Sequence, residues 1–447
     1  MSGCRTVPSR RRLCGLFAVA VLCTTSGCAP RQGPVEITLQ RFFGACDAEY
    51  GNSTDVGAAE GECGIITTLI NRFNAENPDV HVKVNIVFWP GYDQLSAELA
   101  AGDPPDLVTM HESVISDYRA RHLIMPLDQG LKSVGIDPAS FTRAAREGVI
   151  RDGHVYGLPF DNWAPLWHIN MNLFRAAGLV RGGRPVLPRS PEELLAQARQ
   201  FKRANGKPYF VQSTVNEPAA YARNLFTFLL QQNANAFPDP HHIRLRTPEA
   251  RRVLQLFKTI YDEGLTTKNQ DYTAATSGFL NGQGGVYLVG TWMIGDYEKA
   301  SKQPGSPLAG GYAVVPYPQL YPGRDATYAD GHSWVVPTAK RSPQKQRAIF
   351  RLLRYLKDND FEWSRTGHLP AYQAVIESAR WRALPHRQEI ERLVDVAEPP
   401  PPGVQRQFII QQIVSEEMES AISGQKPIDT ALTDAERRVN DVLFNLL

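Results

Sequence analysis

The chain has 447 residues, 48 basic and 46 acidic side chains, and a formal net charge of +2. That near balance, with no basic block, gives no electrostatic case for binding nucleic acid or a polybasic membrane patch. The length exceeds the size at which one hydrophobic core usually splits, so two domains or lobes are expected.

Residues 1–27 carry Arg5, Arg10, Arg11 and Arg12, no acid, and then the apolar run "LCGLFAVAVLC". This is the layout of a secretory signal, and the run is far short of the roughly 20 residues of a membrane-spanning helix. "TTSGCAP" resembles a lipobox that would make Cys28 the lipidated first residue of the mature protein. Thr25 stands where most lipoboxes have Leu, and a plain cleaved signal is the other reading. "SRRRL" also resembles a twin-arginine export signal. Without the leader's four Arg the charge becomes 2 − 4 = −2, so the exported chain is nearly neutral.

In chain order, "VEITLQRFF" alternates as a strand. "IITTLINRFNAENPDV" places apolar residues at 65, 66, 69, 70 and 73, a helical spacing stopped at Asn77-Pro78. "HVKVNIVFW" reads as a strand, "YDQLSAELAAG" as a helix and "DLVTM" as a third strand. That βαβαβ order predicts a parallel sheet covered by helices. Helical patterns dominate residues 190–264, with Pro191 and Pro248 at helix starts. Strand-like pieces return at "GGVYLVG", "GYAVVPYP" and "SWVVPTA", "EPPPPG" reads as a stiff turn, and helices close the chain. The fold class is α/β.

Several stretches, in order, carry a family resemblance: "FNAENPDVHVKV", "LAAGDPPDLV", "LIMPLD", "GHVYGLPF", "LWHINMNLFRAAGL", "FLNGQGGVYLVGTW", "YAVVPYP", "GHSWVVP" and "SGQKPIDTALTDAERRV". Together they resemble the sugar-binding subunits of ABC importers, the maltose-binding-protein type. The resemblance implies a two-lobed periplasmic-binding-protein fold with a hinge of three crossovers and a ligand cleft between the lobes. Residues 35–161 with 334–362 would form one lobe, and 162–333 with 363–447 the other. It also implies a monomeric, exported periplasmic or cell-surface lipoprotein that delivers its ligand to the transmembrane subunits of a permease. No cofactor, metal or nucleic acid is expected.

A sugar site joins aromatic faces to paired hydrogen-bonding groups. "PFDNWAPLW", the first crossover, places Asp161, Asn162 and Trp163 together; the competing reading is an N-cap pair beside a core Trp. "DLVTM" would deliver Met110, His111, Glu112 and Ser113 to the cleft edge. "GTWMIGDY" puts Trp292 where the family has an aromatic platform. Glu217 matches a ligand-contacting acid, although Ala219 stands where the family usually has an aromatic, with Tyr221 a substitute. At the second crossover Gly331 allows close approach, and His332 is either a hydroxyl partner or a structural histidine. Arg365, His368 and Tyr372 mark the third crossover. Arg41, Phe43, Tyr92 and Arg406 are candidates at the cleft rim, Arg406 equally a surface salt bridge. A neutral saccharide, a disaccharide of the maltose or trehalose type, is the expected ligand, with glycerol-phosphate compounds as the alternative.

Glu112, Asp161 and Glu217 also have the chemistry of a glycosidase pair, but no catalytic motif surrounds them. His241-His242 is a lone pair without zinc spacing. Three of the six cysteines, Cys4, Cys14 and Cys23, leave with the leader, which makes Cys46–Cys63 the expected disulfide in an oxidising compartment. The two enclose five carboxylates and no basic residue. A calcium loop through Asp47, Glu49, Asn52 and Asp55 is the other reading, and Asp47 or Glu49 could reach ligand hydroxyls.

Overall fold

The computed structural model describes residues 33–215, 217 and 219–446; the leader and Cys28 lie outside them. Strand β1 (Val35–Arg41) leads, through the cysteine loop, to helix α1 (Gly61–Glu76). The periodic residues Ile65, Ile66, Leu69, Ile70 and Phe73 form the buried face of α1. Asn77 ends the helix, its backbone N–H and side-chain amide both donating to Phe73 O, and Pro78 cannot continue it. Strand β2 (Val80–Ile86), helix α2 (Tyr92–Ala101) and strand β3 (Leu107–His111) follow, and both β2 and β3 pair with β1 in parallel.

Strand β4 (Leu158–Trp163) joins this first sheet, and β5 (Pro165–Asn170) belongs to a second. Ala164 alone separates them, so the first crossover is one residue wide. The second region contains helix α3 (Pro191–Asn205), strand β6 (Phe210–Val211), helices α4 (Ala220–Gln231) and α5 (Pro248–Asp262), and strands β7 (Val286–Gly290) and β8 (Tyr312–Pro316). The chain returns as β9 (Asp330–Val335), helix α6 (Pro343–Asp358) and β10 (Leu369–Pro370), then ends in helices α7 (Gln407–Ile422) and α8 (Ile428–Phe444). Helices α3, α5 and α6 share one start: a Ser or Thr side chain (Ser190, Thr247, Ser342) accepts an N–H of the first turn, and Pro follows it. Each such cap contributes about 1 kcal/mol.

The first sheet runs β10-β4-β9-β3-β1-β2 and the second β6-β7-β5-β8. The sequence pattern predicts a parallel first sheet, but the sheet is mixed. β9 is antiparallel to both β3 and β4, and β10 is antiparallel to β4. Those pairings are made by strands arriving through the crossovers, which are not bound by the geometry of a βαβ unit. The strand expected at "SWVVPTA" also begins earlier, at Asp330, which places Gly331 and His332 inside the sheet. Each sheet has its own core: Ile37, Leu39, Leu107, Trp334 and Leu353 around the first, Trp167, Phe174, Phe201, Tyr209 and Val414 around the second.

Cys46 and Cys63 form the expected disulfide, tying the segment after β1 to the first turn of α1. Asp47, Glu49, Asn52 and Asp55 are exposed, and the three acids are not gathered into a metal-ligand group. Arg365, from the third crossover, donates to the carbonyls of Val56, Gly57 and Ala59 and so holds the tip of the loop. Closing a loop of this length is worth roughly 3 kcal/mol in the chain-entropy model. Urea denaturation of the Cys46→Ser/Cys63→Ser double variant is expected to show a loss near that value. A loss below about 1 kcal/mol would mean that Arg365 alone holds the loop.

Candidate functional site

Asp161 on β4 has no exposed surface. Its carboxylate accepts the backbone N–H of His332 at 3.2 Å, His332 Nδ1 at 2.9 Å and Trp363 Nε1 at 2.7 Å. His368 places Nε2 3.8 Å from Asp161 Oδ2 and 3.5 Å from Glu62 Oε1. Asp161, His332 and His368 therefore come one from each crossover. Gly367 makes the third approach possible: its φ is +123°, and a Cβ there would lie 2.0 Å from Thr291 O. Among the described residues this trio is the group able to hold a metal ion, with ligand atoms within 4.8 Å of one another.

Burial alone would raise the Asp161 carboxyl, but the charges of His332 and His368 and the bonds from His332 and Trp363 bring it below its usual range. His332 is the mirror case: burial lowers its pKa, and Asp161 more than reverses that. Burial takes His368 down to about 4, although Asp161 opposes the shift. Glu62 is pushed up to about 7 by burial, with His332 opposing and Asp161 and Asp296 adding. Glu112, just past β3, is almost wholly buried and accepts from Ser333 Oγ at 3.1 Å and Asn162 Nδ2 at 3.4 Å. Burial and neighbouring Asp330 push its carboxyl well above the usual range. Gly331 is required opposite it, since a Cβ would sit 2.6 Å from Glu112 Oε2 and 2.5 Å from Asp161 O.

Beyond this polar floor lies a band of aromatic rings drawn from both lobes. Trp292 Nε1 donates to Tyr272 Oη at 2.8 Å, and its ring meets Trp163 edge-on at 5.5 Å and stacks over His368 at 6.2 Å. The Arg223 guanidinium lies 4.7 Å over Trp163, and its Nε donates to Gln411 Oε1 at 3.3 Å. Among the described residues no carboxylate lies within 4.0 Å of Arg223. Phe408 of α7 reaches across to Trp89, Tyr92 and His111 of the first lobe, at 5.7, 5.4 and 5.2 Å. Lys299 and Glu60 close the far edge at 2.5 Å.

The comparisons with known proteins agree with this two-sheet fold. Residues 68–389 match the family described as bacterial extracellular solute-binding protein. The chain belongs to that family. The sn-glycerol-3-phosphate-binding periplasmic protein UgpB of Salmonella paratyphi A is 25% identical over 404 residues, 86% of this chain and 90% of that protein. Maltose-bound MalE3 of T. maritima has a TM-score of 0.75 at 18% identity, covering 92% of this chain and all of that one. The GacH receptor of Streptomyces glaucescens, solved unliganded and with acarbose, has a TM-score of 0.76 at 16% identity, covering 93% and all of its chain. At these identities the two structures establish the fold. No helix among the described residues of this solute-binding protein is long and apolar enough to cross a membrane.

The residues singled out in the sequence fall into three groups. Asp161, Asn162, His332, Gly331 and Glu112 meet at the hinge but are spent on one another, with Asp161 and Glu112 inside the protein. Trp163, Trp292 and Tyr92 join the aromatic band; Tyr92 accepts the His111 N–H and donates to His111 Nδ1. Glu217 is half-buried near Tyr272 and Tyr287. The third group points elsewhere. Arg41 is buried on Gly44 O and Thr67 Oγ1, Phe43 packs between Trp363 and His332, and the Arg406 N–H binds Asp117. Arg365 serves the cysteine loop, and Tyr372 donates to Pro159 O.

Sequence reasoning missed Arg223, Tyr272, Phe408 and Glu62. Arg223 carried a signal, as the one charge in the largely apolar run "AYARNLFTFLLQ". Glu62 adjoins the disulfide cysteine, and Tyr272 and Phe408 are aromatics in the first turns of their helices.

Because Glu112 has a raised folded pKa, it favours folding fully below its unfolded value of about 4.3 and loses that contribution as pH rises toward the folded value. Glu112→Gln removes this dependence. Its melting temperature is expected to exceed wild type by roughly 1–3 °C at pH 8 and nearly to coincide at pH 5. An equal offset at both values would show that the carboxyl does not titrate differently on folding.

Proposed function

We propose that the chain captures a neutral saccharide, most simply a disaccharide of the maltose or trehalose type, between its lobes and delivers it to an ABC permease. The observation that carries this is the partly exposed pair Trp292 and Tyr272 beside the hinge, backed by the buried core residue Trp163 and the Arg223 guanidinium over its ring. Aromatic faces take the apolar side of a sugar ring, and the polar groups select its hydroxyls. The structural relatives named for maltose and acarbose support the reading. Closure would bring the lobes together about the three crossovers, as in hinge-bending binding proteins. Anchoring through a lipid on Cys28 belongs to the same proposal, and no chemistry on the bound sugar is expected.

A second reading has its own observation. Arg223 faces the cleft without a carboxylate partner among the described residues, as a phosphate-bearing ligand would require, and curated relatives are named for sn-glycerol 3-phosphate. Calorimetric titration with maltose, trehalose and sn-glycerol 3-phosphate separates the two. For a saccharide, Trp292→Ala is expected to weaken binding about tenfold or more, and Arg223→Ala less. For the phosphate ester, Arg223→Ala is expected to dominate, with affinity falling as salt rises. Unchanged affinity in Trp292→Ala would refute the stacking role, and release of monosaccharide from the bound sugar would refute a pure binder.

A further inference from the structure

We propose that Asp161, His332 and His368 form a binding site for one divalent transition-metal ion of the zinc type at the base of the hinge, with Glu62 at its open edge.

The neighbours of His368 fix its tautomer. Thr366 Oγ1 donates its proton to Trp363 O at 2.7 Å, so towards His368 Nδ1, 2.8 Å away, it acts as an acceptor. Nδ1 therefore carries hydrogen, and in the neutral ring Nε2 is left as a lone pair. That lone pair is fully buried and makes no hydrogen bond within the protein. Asp161 Oδ2, an acceptor, lies 3.8 Å away, and Glu62 Oε1 lies at 3.5 Å. A buried lone pair beside a buried carboxylate is repelled unless a cation sits between them.

The spacing suits a small ion better than a sugar hydroxyl. Zinc bonds of about 2.0–2.1 Å in a tetrahedron put neighbouring ligand atoms about 3.4 Å apart. The ligand atoms of Asp161, His332 and His368 all lie within 4.8 Å of one another, with Asp161 Oδ2 2.9 Å from His332 Nδ1 and 3.8 Å from His368 Nε2. Binding would release the proton that His332 shares with Asp161. The surrounding groups orient the ligands as metal sites require: Thr366 fixes the His368 ring, Trp363 Nε1 holds Asp161, and the Cys46–Cys63 disulfide pins the helix turn that carries Glu62. Two imidazole nitrogens and a carboxylate oxygen favour zinc-like ions over calcium or magnesium. Glu62, about one-third exposed, provides the entry side.

The purified protein, stripped with EDTA, is to be titrated with Zn2+ by calorimetry and with Co2+ by visible absorption. The expectation is one ion per chain, a rise in melting temperature, and an intense tetrahedral-type Co2+ spectrum. His368→Gln is expected to lower Zn2+ affinity on the order of 100-fold and Glu62→Gln about tenfold, with metal-free circular dichroism unchanged. Glu62→Gln, being partly exposed, keeps the test valid if the His368 variant misfolds. Absence of saturable binding overturns the proposal. So does binding unchanged in both variants, or binding lost only in His242→Ala, which would place the ion on the exposed Asp239–His242 turn.

Discussion

A carboxylate without exposed surface, Asp161, is the constraint around which this molecule is arranged. An isolated buried charge costs several kcal/mol and is tolerated only when paired and fully hydrogen-bonded. Here the partners are His332 and Trp363, with His368 alongside, and they come from segments far apart in the chain. Each of the three crossovers must therefore pass within bonding distance of one point. That requirement explains Gly331 and Gly367, where any side chain would collide with backbone or carboxylate. Pairing of β9 with β4 sets His332 opposite Asp161, and β10 pairs with β4 just after His368.

The hinge and the cleft divide the work between them. Polar residues at the crossovers face inward and hold the lobes in register, whereas the aromatic rings of Trp292, Tyr272, Trp89 and Phe408 lie where the two lobes meet. Ala164 alone separates β4 from β5, so a lobe rotation about the first crossover acts on very few backbone torsions. The cysteine loop belongs to this arrangement. It is anchored by Arg365 of the third crossover, reaches the second lobe through Glu60 and Lys299, and presents Glu62 beside the polar hub.

The particular residues show where reading a sequence succeeds. Helix α1 was legible because its apolar spacing and its Asn77-Pro78 stop are local properties, and the Ser/Thr-Pro starts of α3, α5 and α6 are local too. The disulfide followed from counting cysteines. Residue type cannot tell a rim cation from one like Arg41, satisfied by Gly44 O, and for Arg406 the salt-bridge alternative fits its Nε, 3.8 Å from Asp117. Tyr272 and Phe408 were missed because each becomes a site residue only through rings distant in the chain.

By itself, then, the sequence determined the α/β alternation, the exported class, the clip and the family, all of which rest on short-range pattern or ordered motifs. The tertiary structure decided that the first sheet is mixed and that Asp161 and Glu112 face inward. It also decided that Arg223 lies over Trp163 and Glu62 beside His368, while Arg41 is buried on Gly44 O and Thr67. The reason is physical: burial, pairing and ring contact depend on the distance between residues tens to hundreds of positions apart. That distance is set by how strands cross between lobes, which no local period encodes.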